Sequence, residues 1–164
     1  MVRRRRAVNV LNGPVEVGMR ALALLAEAHP EALDLAALVV LDHAVLHSER
    51  FGGPPSLLPE LPAQPGELGR KRELLHEGLA VLMRAGLASI DATAEGLVYR
   101  ATARGSSFLG IFEAPYIGWL CERATWAVER LAPHTDPLAA TRAITQTWRE
   151  QFSASAHHSG DGNE

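Results

Sequence analysis

Cysteine is almost absent from this chain. One residue of 164, Cys121, carries a thiol, so no internal disulfide can staple the fold, and the usage fits a reducing cytoplasm. Aromatic residues are scarce at 5%; with alanine and leucine dominant, helices are expected rather than a β-sandwich. Long apolar runs are missing too. The longest, Leu35 to Leu41, falls far short of the roughly 20 residues a membrane-spanning helix needs, so no membrane is expected as a partner. A leader peptide is not expected either, because Arg3 to Arg6 give way to Ala-Val-Asn-Val-Leu-Asn-Gly rather than to an extended apolar segment. What remains suffices for a core. Hydrophobic residues at 47% and charged residues at 21% are ordinary globular values, and the length suits one domain, or one domain with an appended helical extension.

Catalytic motifs are lacking as well. Gly52-Gly53 is not a phosphate loop, since no G-K-S/T follows. Ser106 and Ser107 follow Gly105 without a G-x-S-x-G elbow and read as first-turn helix residues. Asp42, His43 and His47 share a helix, and two histidines at i, i+4 can face one metal. They lack the glutamate of the H-E-x-x-H pattern, and no second His or Cys cluster supplies further ligands. Capping and loop-packing hydrogen bonds are the expected roles there. Cys121 sits mid-helix beside Glu122, which disfavours a thiolate. No catalytic residue, cofactor or metal is therefore expected, and the chain reads as a non-enzyme.

The charge is uneven. The net value of −3 includes the Arg3–Arg6 run; without it twelve basic residues face nineteen acidic ones, a balance of −7 for the body. A protein that grips duplex DNA through its body needs a basic stripe, because phosphate neutralisation dominates affinity. The acidic body counts against DNA as main partner. The Arg tail reads as a solvated, flexible terminus, with phosphate or an acidic protein as the sharper alternatives.

The most informative stretch runs from Gly66 to Thr102. Leu68, Leu75, Leu79 and Leu82 share one face at the helical period. Leu74, Gly78 and Val81 widen it on one flank and Met83 on the other, while Arg70, Glu73, Glu77 and Arg84 fall on the solvated side. Gly86 stands where a left-handed residue ends a helix. Leu87–Asp91 and Leu97–Thr102 are β-compatible runs joined by Ala-Thr-Ala-Glu-Gly, a hairpin turn. A long helix running into a small hairpin is the helix-plus-wing half of a winged helix-turn-helix, so the expected fold is mainly α with a small β-hairpin wing and a C-terminal helical extension.

Upstream, Pro14 suits the first position of a helix over Val15–Ala28, with Val15, Met19, Leu22 and Ala26 as its stripe and Leu24 and Leu25 broadening it. Asp34 is a candidate N-cap for a second helix to about His47, apolar enough for burial on more than one side. Ser48 to Gly66 then holds five prolines and three glycines, which oppose regular structure. Yet Phe51, Leu57, Leu58 and Leu61 are too apolar for a free linker. The span reads as an ordered loop that packs back on the core or presents apolar side chains to a partner. Downstream, Thr102 can cap a helix with Phe108, Leu109 and Phe112 as its buried side, and Pro115 restarts the chain as a helix to Leu131. Trp119 and Trp126 lie seven apart on one face of it; core packing and a partner surface are the two readings. Leu138–Phe152 reads as a last helix carrying Ile144 and Trp148. The expected organisation is a basic flexible N-terminus over 1–13, a winged-helix domain over 14–131, a C-terminal helix over 132–152 and a disordered tail over 153–164.

Scattered motifs carry a family resemblance. Gly13-Pro14-Val15-Glu16-Val17-Gly18-Met19-Arg20, Leu41-Asp42-His43 with His47-Ser48, and Phe51-Gly52-Gly53-Pro54 with Ser56-Leu57 come first. Gly66-Glu67-Leu68-Gly69 with Arg72-Glu73, Gly86-Leu87, Tyr99-Arg100-Ala101-Thr102, and Phe108 through Pro115-Tyr116 follow. Over about Pro14 to Leu131 the chain resembles the middle component of prokaryotic ABC-type three-component (ABC-3C) conflict or defence systems. The resemblance implies a winged-helix adaptor without catalytic residues, working between an SMC-like ABC ATPase and an effector. On that reading Phe51, Leu57, Leu58, Leu61, Trp119 and Trp126 meet partner proteins, and a homodimer through Trp119 to Trp148 is a further expectation. The alternative is a DNA-binding transcriptional regulator, with Arg70, Lys71 and Arg72 in the major groove and Arg100 on a phosphate. Glu67, Glu73 and Glu77 on the same stretch oppose it, leaving weak DNA contact at most.

Overall fold

The computed structural model describes residues 13–59 and 66–132. The expectations for Arg3–Arg6, Leu61, the Leu138–Phe152 helix and the Ser153–Glu164 tail lie outside the described residues.

Helix α1 spans Pro14–Ala28 and begins on its proline, whose fixed φ suits a first helical position. Val17, Gly18 and Arg20–Leu25 are all buried, whereas Val15 is exposed. The stripe expected through Val15 is therefore displaced. The reason is position: helices on several sides and a strand cover α1, so one narrow face does not describe it. A two-residue strand, β1 (Leu33–Asp34), leads into α2 (Leu35–Leu46). The Asp34 carboxylate caps α2 by accepting from the Ala37 N–H at 2.7 Å. Every residue from Leu38 to Leu46 is buried, the apolar ones as their density requires and Asp42 and His43 along with them.

Helix α3 spans Glu67–Arg84. Leu75, Leu79 and Leu82 are buried, while Arg70, Glu73, Glu77 and Arg84 stand in solvent. Its end is closed by two reversed bonds: the Gly86 N–H donates to Met83 O at 3.1 Å and the Leu87 N–H to Leu82 O at 2.9 Å. This Schellman arrangement needs a left-handed residue, and Gly86 supplies it at φ 71. Where α1 crosses α3, Gly18 faces Gly78; a Cβ on Gly78 would lie 2.8 Å from the Gly18 nitrogen. The two helices come this close only because neither carries a side chain there.

The chain then forms β2 (Ala88–Thr93) and β3 (Gly96–Ala101). The sheet is antiparallel in the order β1-β3-β2, with Thr93 opposite Gly96, Ile90 opposite Tyr99 and Leu33 opposite Tyr99. The turn is tighter than the five residues expected, because pairing continues to Gly96 and leaves only Ala94 and Glu95 outside the ladder. Helix α4 (Ala103–Phe108) is capped by Thr102, whose Oγ1 accepts from the Gly105 N–H at 3.0 Å. Leu109 is buried, but Phe112, expected on the same buried side, is exposed, since a 3-10 turn at Leu109–Ile111 rotates it outward. Helix α5 (Pro115–Leu131) again opens on proline and lies against α1 and α2. The element order and the three-stranded sheet define a mainly α, winged-helix-like fold with a C-terminal helical extension.

Candidate functional site

The helical core holds charge. Arg20 on α1 and Asp42 on α2 are 2% and 0% exposed; the guanidinium Nε donates to Asp42 Oδ1 at 2.6 Å and Nη2 to Oδ2 at 3.4 Å. Lys71 of α3, its side chain 13% exposed, donates from Nζ to Asp42 Oδ2 at 2.6 Å. One carboxylate thus ties the three helices together. Burial pushes the Asp42 carboxyl up, but the Lys71 and Arg20 charges outweigh it and hold it well below the usual carboxylate range. Arg20, opposed by burial and favoured by Asp42, ends above its ordinary value.

Next to this cluster lies His43, with its ring 4.8 Å from the ring of His47 and edge-on to Phe51 at 6.0 Å. Burial, then the Lys71 and His47 charges, lower its pKa to about 3, so it is neutral at ordinary pH. Among the described residues no group of three or more His, Cys, Asp and Glu could hold a metal. Asp42, grouped with the two histidines by sequence, is instead engaged by cations 22 and 29 positions away. Burial raises the Cys121 thiol, with Glu27 adding to the shift, which disfavours the thiolate. A cavity of about 220 Å³ opens beside the end of α5, and its one ionisable lining group, Asp34, already caps α2.

The proline-rich loop is ordered against its own chain over Ser48–Pro59. It begins as a 3-10 turn (Ser48–Phe51) despite the expectation of no regular structure, because the prolines start only at Pro54. Ser48 Oγ donates to Pro54 O at 2.7 Å, and the Leu57 and Leu58 N–H groups donate to Leu46 O at 3.0 and 3.1 Å. From α5, Arg123 Nε donates to Pro55 O at 2.7 Å, while its Nη1 donates to Trp119 O at 2.9 Å. Trp126 covers Gly53 so closely that any Cβ there would collide with its indole. Arg123 was not legible as a staple: beside Glu122, which it approaches to 3.3 Å, it reads as one more charge on an amphipathic helix.

The residues expected to meet partners thus separate. Phe51, Leu57, Leu58 and Trp126 are half-buried by contacts within the chain. Trp119 is 54% exposed. The residues expected on DNA also separate. Arg70 and Arg72 are exposed on α3, but Lys71 points to Asp42. Arg100 on β3 donates from Nη1 to Pro30 O at 2.7 Å and lies 3.4 Å from Asp91. Structure does not gather the four into one free basic patch.

The class is set by these features: a winged-helix-like protein with a loop packed on its own chain over Ser48–Pro59 and an additional helix packed behind. Over residues 10–152 the chain matches the family described as ABC-three component (ABC-3C) system Middle Component 2, and it belongs to that family. No curated protein and no solved structure matches it. Among the described residues no helix is long and apolar enough to cross a membrane.

Proposed function

We propose that the protein is a non-enzymatic adaptor: the cytoplasmic middle component that links an SMC-like ABC ATPase to an effector in a prokaryotic conflict system through protein contacts. The observation that carries this reading is the disposition of basic charge on the helix-and-wing half. Lys71 is bound to buried Asp42, and Arg100 is held by Pro30 and Asp91. Duplex recognition needs such cations aimed at phosphates. Membership in a three-component family supports partner proteins instead. The exposed Trp119 is the residue type that anchors protein interfaces, and it is open to a second copy as well.

A winged-helix DNA-binding regulator is the second reading, favoured by Arg70 and Arg72 standing free of the core at the start of α3. The test is co-purification of the tagged full chain with the ATPase and the effector encoded beside it. Both should be retained, and Trp119→Ala should weaken capture about tenfold or more without lowering the melting temperature. Failure to capture either protein, together with sequence-specific duplex retention at about 0.15 M salt, would establish the regulator.

A further inference from the structure

The wing is amphipathic in a way the fold does not use up. Directly opposed residues of an antiparallel pair share a face, so the register puts Ala88, Ile90 and Ala92 with Ala101, Tyr99 and Leu97. At the base this face is core: Ala88, Tyr99 and Ala101 are buried. Towards the tip it runs out into solvent, with Ile90 41% and Leu97 56% exposed. The other face carries Ser89, Asp91, Thr93, the half-buried Val98 and Arg100, with Arg100 3.4 Å from Asp91, and the turn adds the acid Glu95.

In the order β1-β3-β2 the strand β3 is central, and no strand borders β2 on its outer side among the described residues. An antiparallel ladder turns alternate N–H and C=O groups of such a strand outward, which makes a template for a further strand. We propose that the outer edge of β2 takes an extended segment of a partner protein as a fourth strand, one that alternates apolar and basic side chains. Its apolar residues continue the Ile90–Leu97 face, and its Lys or Arg residues lie near Glu95 and beside the Asp91–Arg100 pair, whose carboxylate is 56% exposed. A second copy of this chain is the poorer occupant, because antiparallel pairing of β2 with itself about a two-fold axis sets Asp91 of both copies on one face of a short ladder, where like charges repel.

This surface deepens the adaptor reading and fails separately from it. The experiment titrates the isotope-labelled full chain with a soluble peptide of alternating lysine and valine, about seven residues long, and follows the backbone amide shifts. Saturable changes confined to residues 88–97 are expected, with a glutamate-valine peptide leaving them unmoved. Leu97→Lys should weaken peptide binding about tenfold or more; Ile90→Thr gives the same direction if the lysine variant melts early. No shifts in 88–97, equal binding of the glutamate peptide, or the same shifts produced by duplex DNA alone overturns the proposal. Capture of the ATPase and effector without a peptide response sinks the β2 edge and leaves the adaptor; a peptide response without capture does the reverse.

Discussion

A carboxylate with no solvent exposure keeps its charge only when cations neutralise it, and Asp42 has two at 2.6 Å. Replacing such a group strands its partners, which costs about 3–5 kcal/mol when one member of a buried pair is lost. Asp42→Asn is expected to reduce stability by that order in urea unfolding, although its shape is nearly unchanged. The carboxyl is held below its unfolded value of 3.8, so its contribution is complete above that pH and is lost as acid titrates the folded group. His43 acts over a higher range. Its folded pKa of about 3 lies under the unfolded 6.5, so between those values the unfolded chain binds the extra proton. Stability is complete above 6.5 and falls as pH drops, by up to about 1.4 kcal/mol per pH unit. Denaturation midpoints measured from pH 6.5 to 4.5 should show that slope, and His43→Gln should flatten it while leaving the Asp42 effect below pH 4.

At the scale of elements, glycine placement distinguishes helix signals from packing signals. In Gly78→Ala the new methyl meets the Gly18 nitrogen at 2.8 Å and Pro14 O at 3.1 Å, both backbone atoms. Those atoms move only if α1 and α3 part, so a loss of about 1–3 kcal/mol is expected despite the better helix propensity of alanine. Gly69 lies on the same helix with nothing within 4 Å of its Cβ position. Gly69→Ala should be neutral to stabilising, by up to about 1 kcal/mol, and paired thermal melts would show the opposite signs. Helix limits were legible because local chemistry sets them: Pro14, Asp34, Thr102 and Gly86 each act within four residues of themselves. The Gly18–Gly78 crossing and the Arg20–Asp42–Lys71 cluster were not, since each joins segments far apart in the chain and periodicity reports only one helix at a time. A lone arginine inside the apolar run of α1 was the available hint. The apolar loop was half legible: its leucines announced packing, but the Arg123 and Trp126 contacts that hold it depend on where α5 returns.

For the whole molecule, the decisive quantity is charge presented to solvent rather than charge in the sequence. Outside the Arg3–Arg6 run acids outnumber bases by nineteen to twelve, and the fold lowers the accessible positive share further. Arg20 is enclosed, Lys71 is nearly so, Arg123 is 7% exposed and Arg100 is bound at the wing. Each phosphate contact adds close to one unit to the slope of log affinity against log salt. With Arg70 and Arg72 as the exposed pair at the start of α3, a slope of about two is expected from the body. Binding of that kind is independent of sequence and fades between about 0.05 and 0.2 M salt. Fluorescence anisotropy with two unrelated duplexes across that range would measure it, using the full chain and a variant with Arg3–Arg6 changed to glutamine. Whatever retention the glutamine variant loses belongs to the Arg run, and what remains should follow the shallow slope. A slope of six or more in that variant, with one duplex preferred, would mean that the helix-and-wing half reads DNA after all.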